Sequence, residues 1–133
     1  GVLAETGYHC YFPILDQRGI MPGVRRGITL LTQDESRHIA YGIFLSSRLL
    51  ALNPDLWDLV EAELNRLLPP ALGVVGEVFE RYDPVPFGLS PDVFVDFALS
   101  QFQKRVDRLE KARVATLAEI YRVTDLVIDE DDG

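Results

Sequence analysis

The chain has 133 residues, of which 47% are hydrophobic, and its 21 acidic and 13 basic residues give a net charge of −8. This length is enough for one domain with a modest core. The negative charge argues against a nucleic-acid partner, because binding to phosphates needs clustered Lys and Arg. The single cysteine, Cys10, excludes an internal disulfide and is typical of a reducing compartment, so we expect a cytoplasmic protein. We also expect no signal peptide and no transmembrane segment, because no uncharged apolar run is long enough to cross a bilayer.

A first helix is predicted over 1–17. It opens on Val2-Leu3-Ala4 without a capping residue, which indicates a helix that continues upstream of Gly1. Cys10 lies within it and is interpreted as a small core residue. The Pro and Gly residues between 18 and 23 predict a turn.

The second helix, predicted over 23–52, contains the string Asp34-Glu35-Ser36-Arg37-His38 within an otherwise apolar sequence. Glu35 and His38 are three residues apart and share one helix face, so a carboxylate and an imidazole could bind one metal ion together. Ferritin-like di-metal proteins carry such a Glu-x-x-His pair on two of four helices. We expect this stretch to be largely buried, where a metal would offset the cost of burying charge. The alternative is a surface Glu beside an ordinary His.

Two neighbours of the motif are interpreted as supporting residues. Asp34 is expected to turn toward a neighbouring helix, and it is a candidate to accept the remaining N–H of a ligating histidine, as carboxylates beside metal sites commonly do. Arg37 would balance the charge of the site, and an ordinary surface salt bridge is the alternative for it.

Further helices are predicted over 54–82 and 91–113, with a break or kink at Pro69-Pro70 and an exposed, charged end from Gln103. The sequence therefore predicts an all-α fold without a sheet, whose helices occupy 1–115. Residues 116–133 are expected to form a flexible tail that ends in an acidic run.

The stretches Ala4 to Tyr8 and Asp34 to Gly42, with Arg37 before His38, resemble the ligand-binding oxidases of the ribonucleotide reductase small-subunit superfamily. The resemblance covers Gly1 to about Arg113. It implies a ferritin-like bundle, a manganese/iron or di-iron centre, and a homodimeric oxidoreductase that activates dioxygen for two-electron oxidation. It also implies a long-chain fatty-acid-like ligand beside the metals, in a pocket that Ala4 and Tyr8 would line. Ala4 as a helix contact and Tyr8 as a core aromatic are the alternatives.

The same resemblance implies six metal ligands, of which this chain carries two, Glu35 and His38. The other four, and a tyrosine–valine cross-link, are expected upstream of Gly1 in an N-terminal half of the same protein. No side chain is assigned as catalytic, and the chain alone is expected to be inactive. Alone, it should also be unstable or dimerise through its first two helices. As an alternative to this unstable fragment, two copies of the chain could build one complete metal site from both Glu35 and His38 pairs together with Glu5 of each copy.

Two other functions stay open. One is a fragment of a ribonucleotide reductase small subunit, whose flexible C-terminal tail reaches a large subunit. The other is a non-enzymatic helical interaction module in which Glu35 and His38 are incidental.

Overall fold

Five α-helices form the molecule in the computed structural model, which describes the backbone of residues 2–126 and the side chains of residues 2–122. The helices are α1 (Val2–Arg18), α2 (Pro22–Leu52), α3 (Trp57–Glu80), α4 (Pro91–Ala112) and α5 (Leu117–Leu126). Short 3-10 turns at Pro54–Leu56 and Pro86–Gly88 precede α3 and α4. No strand occurs within residues 2–126, so the all-α class predicted from the sequence is confirmed.

A tight turn sets α1 and α2 side by side. Gly19 follows the last residue of α1 with φ of 59°, a left-handed conformation that glycine adopts without steric cost. α2 then begins at Pro22, since proline suits the first position of a helix. Across the turn, Arg25 Nε and Nη2 donate to the two carboxylate oxygens of Asp16 at 2.8 and 3.2 Å. This pairing fixes an antiparallel register between the two helices.

The two prolines in the middle of α3 do not end the helix. α3 continues through Pro69 and Pro70 to Glu80, so the predicted break does not occur, and the kink that was its alternative stays a prediction. Each proline removes one backbone N–H, which would otherwise bond to the carbonyl four residues earlier. Those carbonyls belong to Asn65 and Arg66, and because both residues are exposed, water can bond to them.

The core consists of two clusters. The first joins the C-terminal parts of α2 and α4 to α3 and α5, and its buried members are Leu50, Trp57, Leu109, Ala112 and Ile120. The second lies where α1 meets α3 and α4, with Cys10, Val75 and Phe94 buried. Cys10 is therefore a core residue, as predicted. Since α4 contributes to both clusters, it holds the other helices together.

Helix α5 occupies part of the segment that was predicted to be a flexible tail. The backbone N–H and the hydroxyl of Thr116 donate to the Glu119 carboxylate at 2.7 and 2.8 Å, and the Glu119 N–H donates back to the hydroxyl. This reciprocal pattern is a capping box, which starts a helix. Ile120, one residue later, is buried in the first cluster. The boundary predicted at 116 is thus corrected for residues 117–126, while the acidic run lies outside the described residues.

Candidate metal-binding face

An exposed apolar row runs along α2 and passes through the predicted metal motif. Its side chains recur at every seventh residue, which is about two turns of helix, so they share one face. The row consists of Val24, Leu31, His38, Leu45 and Leu52. Its four apolar members are between 40% and 57% exposed, and His38, at the middle position, is exposed as well.

A second row lies beside the first, offset by three residues. It consists of Ile28, Glu35, Gly42 and Leu49, of which Ile28 and Glu35 are half-buried and the other two exposed. Two such rows with a seven-residue period are typical of a helix that packs against a partner helix. We call the two rows together the seam. Glu35 and His38 occupy its centre, in neighbouring positions of the two rows.

The other helices pack on the opposite side of α2, where Ser47 and Leu50 are buried. The motif side of the helix consequently faces solvent. Asp34 and Arg37 have side chains 60% and 75% exposed, His38 is exposed, and only Glu35 is half-buried. The expectation that this stretch is buried and turned inward is therefore not met in this chain. None of the described helices covers this apolar face, so its packing against another element stays a prediction.

Asp34 and Arg37 bind each other on the surface of α2. Arg37 Nη1 donates to Asp34 Oδ1 at 3.2 Å, across one turn of the same helix. An exposed pair of this kind contributes less than about 1 kcal/mol. Arg37 thus adopts the surface salt bridge that was its alternative interpretation. The expected contact from Asp34 to a histidine of a neighbouring helix stays a prediction.

The two residues expected to line a ligand pocket, Ala4 and Tyr8, lie half-buried on α1. Their height along the bundle follows from the antiparallel register fixed by Asp16 and Arg25. Because both helices rise by about 1.5 Å per residue, Ala4 lies at the same height as Arg37 of α2. Tyr8 lies about one helical turn from that height. The fold therefore brings both residues to the height of the metal motif. Their contact with a ligand stays a prediction.

A partly buried ion pair near this height was missed by the sequence interpretation. Arg105 Nη2 of α4 donates to Glu5 Oε2 of α1 at 2.5 Å, and the two side chains are only 17% and 22% exposed. Arg105 belongs to the stretch that was predicted to be an exposed helix end. With 100 residues between the partners, the sequence carries no local signal for the pair. Glu5 is thus bound to Arg105 in the single chain, and its part as an additional ligand in the two-copy arrangement stays a prediction.

The donor atoms suit iron or manganese, since both metals accept carboxylate and imidazole ligands. Within residues 2–122, no group of three or more His, Cys, Asp and Glu side chains lies close enough together to hold a metal ion. Glu35 and His38 alone therefore do not make up a complete metal site among the described residues, and their part in a larger ligand set stays a prediction.

The second histidine of the chain, His9, belongs to a different environment. Its ring stacks on Phe97 of α4 with centroids 4.0 Å apart and planes 8° from parallel. This contact joins α1 to α4 and gives His9 a structural role. His9 is consequently a matched control for substitutions of His38.

Comparison with models of known protein families gives no match to this chain, and no solved structure matches it. Among the described helices, none combines the length and the apolar character that crossing a membrane requires.

Proposed function

We propose that this chain is part of a dinuclear metal oxidase with a manganese/iron or di-iron centre, built on a ferritin-like helical bundle. A long-chain fatty-acid-like ligand would lie beside the metals. The observation that carries the proposal is the position of Glu35 and His38 at the centre of an apolar seam.

A seam of this kind is stable only when another helix covers it, because its leucines and valine otherwise stay in water. Covering the seam would also remove Glu35 and His38 from water. Removing a carboxylate from water costs several kcal/mol unless it is paired or bound to a metal. Glu35 and His38 are the two ionisable residues of the seam, and a metal ion bound by both would offset the cost of removing them from water.

Each residue of the face has a separate part in this proposal. Glu35 would give an anionic oxygen and His38 a neutral ring nitrogen to the metals. Leu31 and Leu45, two turns to either side of His38, would exclude water from them. Tyr8 would place its hydroxyl at the height of the motif, beside the small side chain of Ala4. When bound, the metals would supply the activation of dioxygen for a two-electron oxidation.

Oxygen uptake tests the proposal. Metal-free, full-length protein purified from cells should consume dioxygen when ferrous iron, alone or with manganous ion, is added. The Glu35→Ala variant should lose this uptake, whereas Glu61→Ala, which removes an exposed carboxylate from α3, should retain it. Equal uptake by the Glu35→Ala variant and the wild type would contradict the proposal.

Organic extraction of the same protein, followed by mass spectrometry, tests the ligand. A long-chain fatty acid in stoichiometric amount supports the oxidase. Its absence, together with a radical-bearing tyrosine near the metals, would favour the reductase small subunit.

The exposed seam by itself also supports a second candidate, a non-enzymatic helical interaction module. Such a module would use the same apolar rows to bind a partner helix, and it would hold no stoichiometric iron or manganese. Metal analysis therefore separates the two candidates.

A further inference from the structure

We infer that Arg105 of α4 is a positioning residue for the proposed ligand pocket, and that it acts through Glu5 to fix the orientation of Tyr8. The inference rests on the proposed function, because it assigns a role within that pocket, and it requires no bound metal. It is drawn from two contacts that join α1 to α4 within the chain.

The guanidinium of Arg105 is held in place by its own helix. Its Nη1 donates to the backbone carbonyl of Gln101, one turn earlier in α4, at 2.6 Å, and lies 3.4 Å from Gln101 Oε1. Its Nη2 donates across the helix interface to Glu5 Oε2 at 2.5 Å. Since only 17% of the Arg105 side chain is exposed, water competes little for these donors. Glu5 therefore meets a donor that is fixed relative to α4.

A second contact joins the same side of α1 to α4. His9 follows Glu5 by four residues, which is about one turn, so the two side chains share a face of α1. The His9 ring stacks on Phe97, which precedes Arg105 by about two turns of α4. One contact alone would let α1 pivot about it. Two contacts about one turn apart fix both the height and the rotation of the helix.

The rotation of α1 decides where Tyr8 points. Tyr8 directly precedes His9 in the sequence, and Ala4 stands in the same relation to Glu5. Because successive residues are about 100° apart around a helix, Tyr8 and Ala4 lie together on the face beside the contact face. A rotation of α1 about its axis would move both residues relative to α2, and the contacts with α4 prevent that rotation.

Of the two contacts, the ion pair is the better shielded from water. His9 is exposed, whereas the side chains of Glu5 and Arg105 are only 22% and 17% exposed. A hydrogen bond between two charged groups is also roughly twice as strong as one between neutral groups. The positioning of Tyr8 is therefore assigned to Arg105, through Glu5.

Fluorine NMR of the full-length protein, with a fluorotyrosine placed at Tyr8, tests the positioning without any ligand. The signal should shift in Glu5→Gln and Arg105→Met, and it should move back toward the wild-type position in Arg105→Lys, which keeps a cation for Glu5. Arg66→Met removes a guanidinium that pairs within one turn of α3, so this matched control should leave the signal in place. A fluorotyrosine at Tyr82, beyond the end of α3, should report no shift in any of these variants.

Palmitate binding to the same full-length proteins tests the role in the pocket. The measurement is made at a temperature where circular dichroism shows every variant folded. The dissociation constant for palmitate should rise about tenfold in Arg105→Met and stay within about threefold of the wild type in Arg105→Lys and Arg66→Met. A purely structural Arg105 would lower the unfolding midpoint without moving the Tyr8 signal or the palmitate affinity of the folded protein, and that result overturns the inference.

The remaining outcomes separate this inference from the proposed function. A Tyr8 signal that shifts equally in Arg66→Met and Arg105→Met would overturn the inference, because the shift would not then come from the Glu5 contact. A shifted signal with unchanged palmitate affinity would overturn the role in the pocket. A wild-type protein that binds no palmitate would refute the proposed ligand, and the fluorine signal would still decide whether Arg105 positions Tyr8.

Discussion

Removal of the charge on Glu5 should destabilise the fold much more than removal of an exposed carboxylate. Glu5 and Arg105 join the first turns of α1 to the middle of α4, with about a fifth of each side chain exposed. Glu5→Gln leaves the Arg105 guanidinium partly buried without a counter-charge. Breaking a fully buried pair costs about 3–5 kcal/mol, and an exposed pair is worth about 0.2–1 kcal/mol. At this burial we expect a loss of about 2–3 kcal/mol in the free energy of unfolding.

The matched control is Glu63→Gln, because Glu63 pairs with Arg66 on the surface of α3, with side chains 52% and 67% exposed. The measurement is urea unfolding of each variant, followed by circular dichroism at a helix wavelength. A double-mutant cycle with Arg105→Met separates the interaction energy of the pair from the effects of each single change. If Glu5→Gln costs no more than Glu63→Gln, the ion pair does not hold α1 on α4 and the reasoning is refuted.

Three further predictions follow from the packing and the electrostatics. Leu50, at 1% exposure, lies in the first core cluster, so Leu50→Ala should cost about 3–5 kcal/mol in urea unfolding. The control is Leu30→Ala, at a leucine that is 49% exposed, which should change the free energy of unfolding by less than about 1 kcal/mol. A similar loss in the two variants would contradict the assignment of Leu50 to the core. Hydrogen bonds from the Thr116 backbone N–H and hydroxyl lower the pKa of Glu119 from its ordinary 4.5. The capping box should therefore stabilise α5 above pH 4.5 and lose this effect as the pH falls through the lowered pKa, which amide hydrogen exchange of α5 will show. Thr116→Ala, which removes the hydroxyl donor and keeps the backbone N–H, should reduce that pH dependence, and Glu119→Gln should abolish it. Burial raises the pKa of the Cys10 thiol, so a thiol reagent should label it slowly in the native protein and fully in denaturant; rapid native labelling would refute its place in the core.

The helices were predictable because proline and glycine mark their ends. Gly19 and Pro22 delimit the first turn, and Pro91 begins α4 as predicted. The break predicted at Pro69 and Pro70 does not occur, and the carbonyls that the two prolines leave without an N–H donor lie on exposed residues, where water can bond to them.

The candidate site was predictable only as a pattern. The spacing of Glu35 and His38 places them on one face, and the apolar residues around them indicate a packing surface. Whether that surface is covered depends on elements distant in the sequence or on another chain, which local periodicity does not specify. The Glu5–Arg105 pair was missed for the same reason, since a charged residue on a helix end gives no sign of a partner 100 residues away.

The central claim is that Glu35 and His38 bind metal, and the iron and manganese content of the full-length protein purified from cells tests it most directly. The chain has two histidines, so His38→Ala has a matched control in His9→Ala, which removes the ring stacked on Phe97. We predict stoichiometric iron, or iron with manganese, in the wild type and in His9→Ala, and its loss from His38→Ala. A wild-type protein without stoichiometric metal, or a His38→Ala variant that keeps it, would contradict the claim.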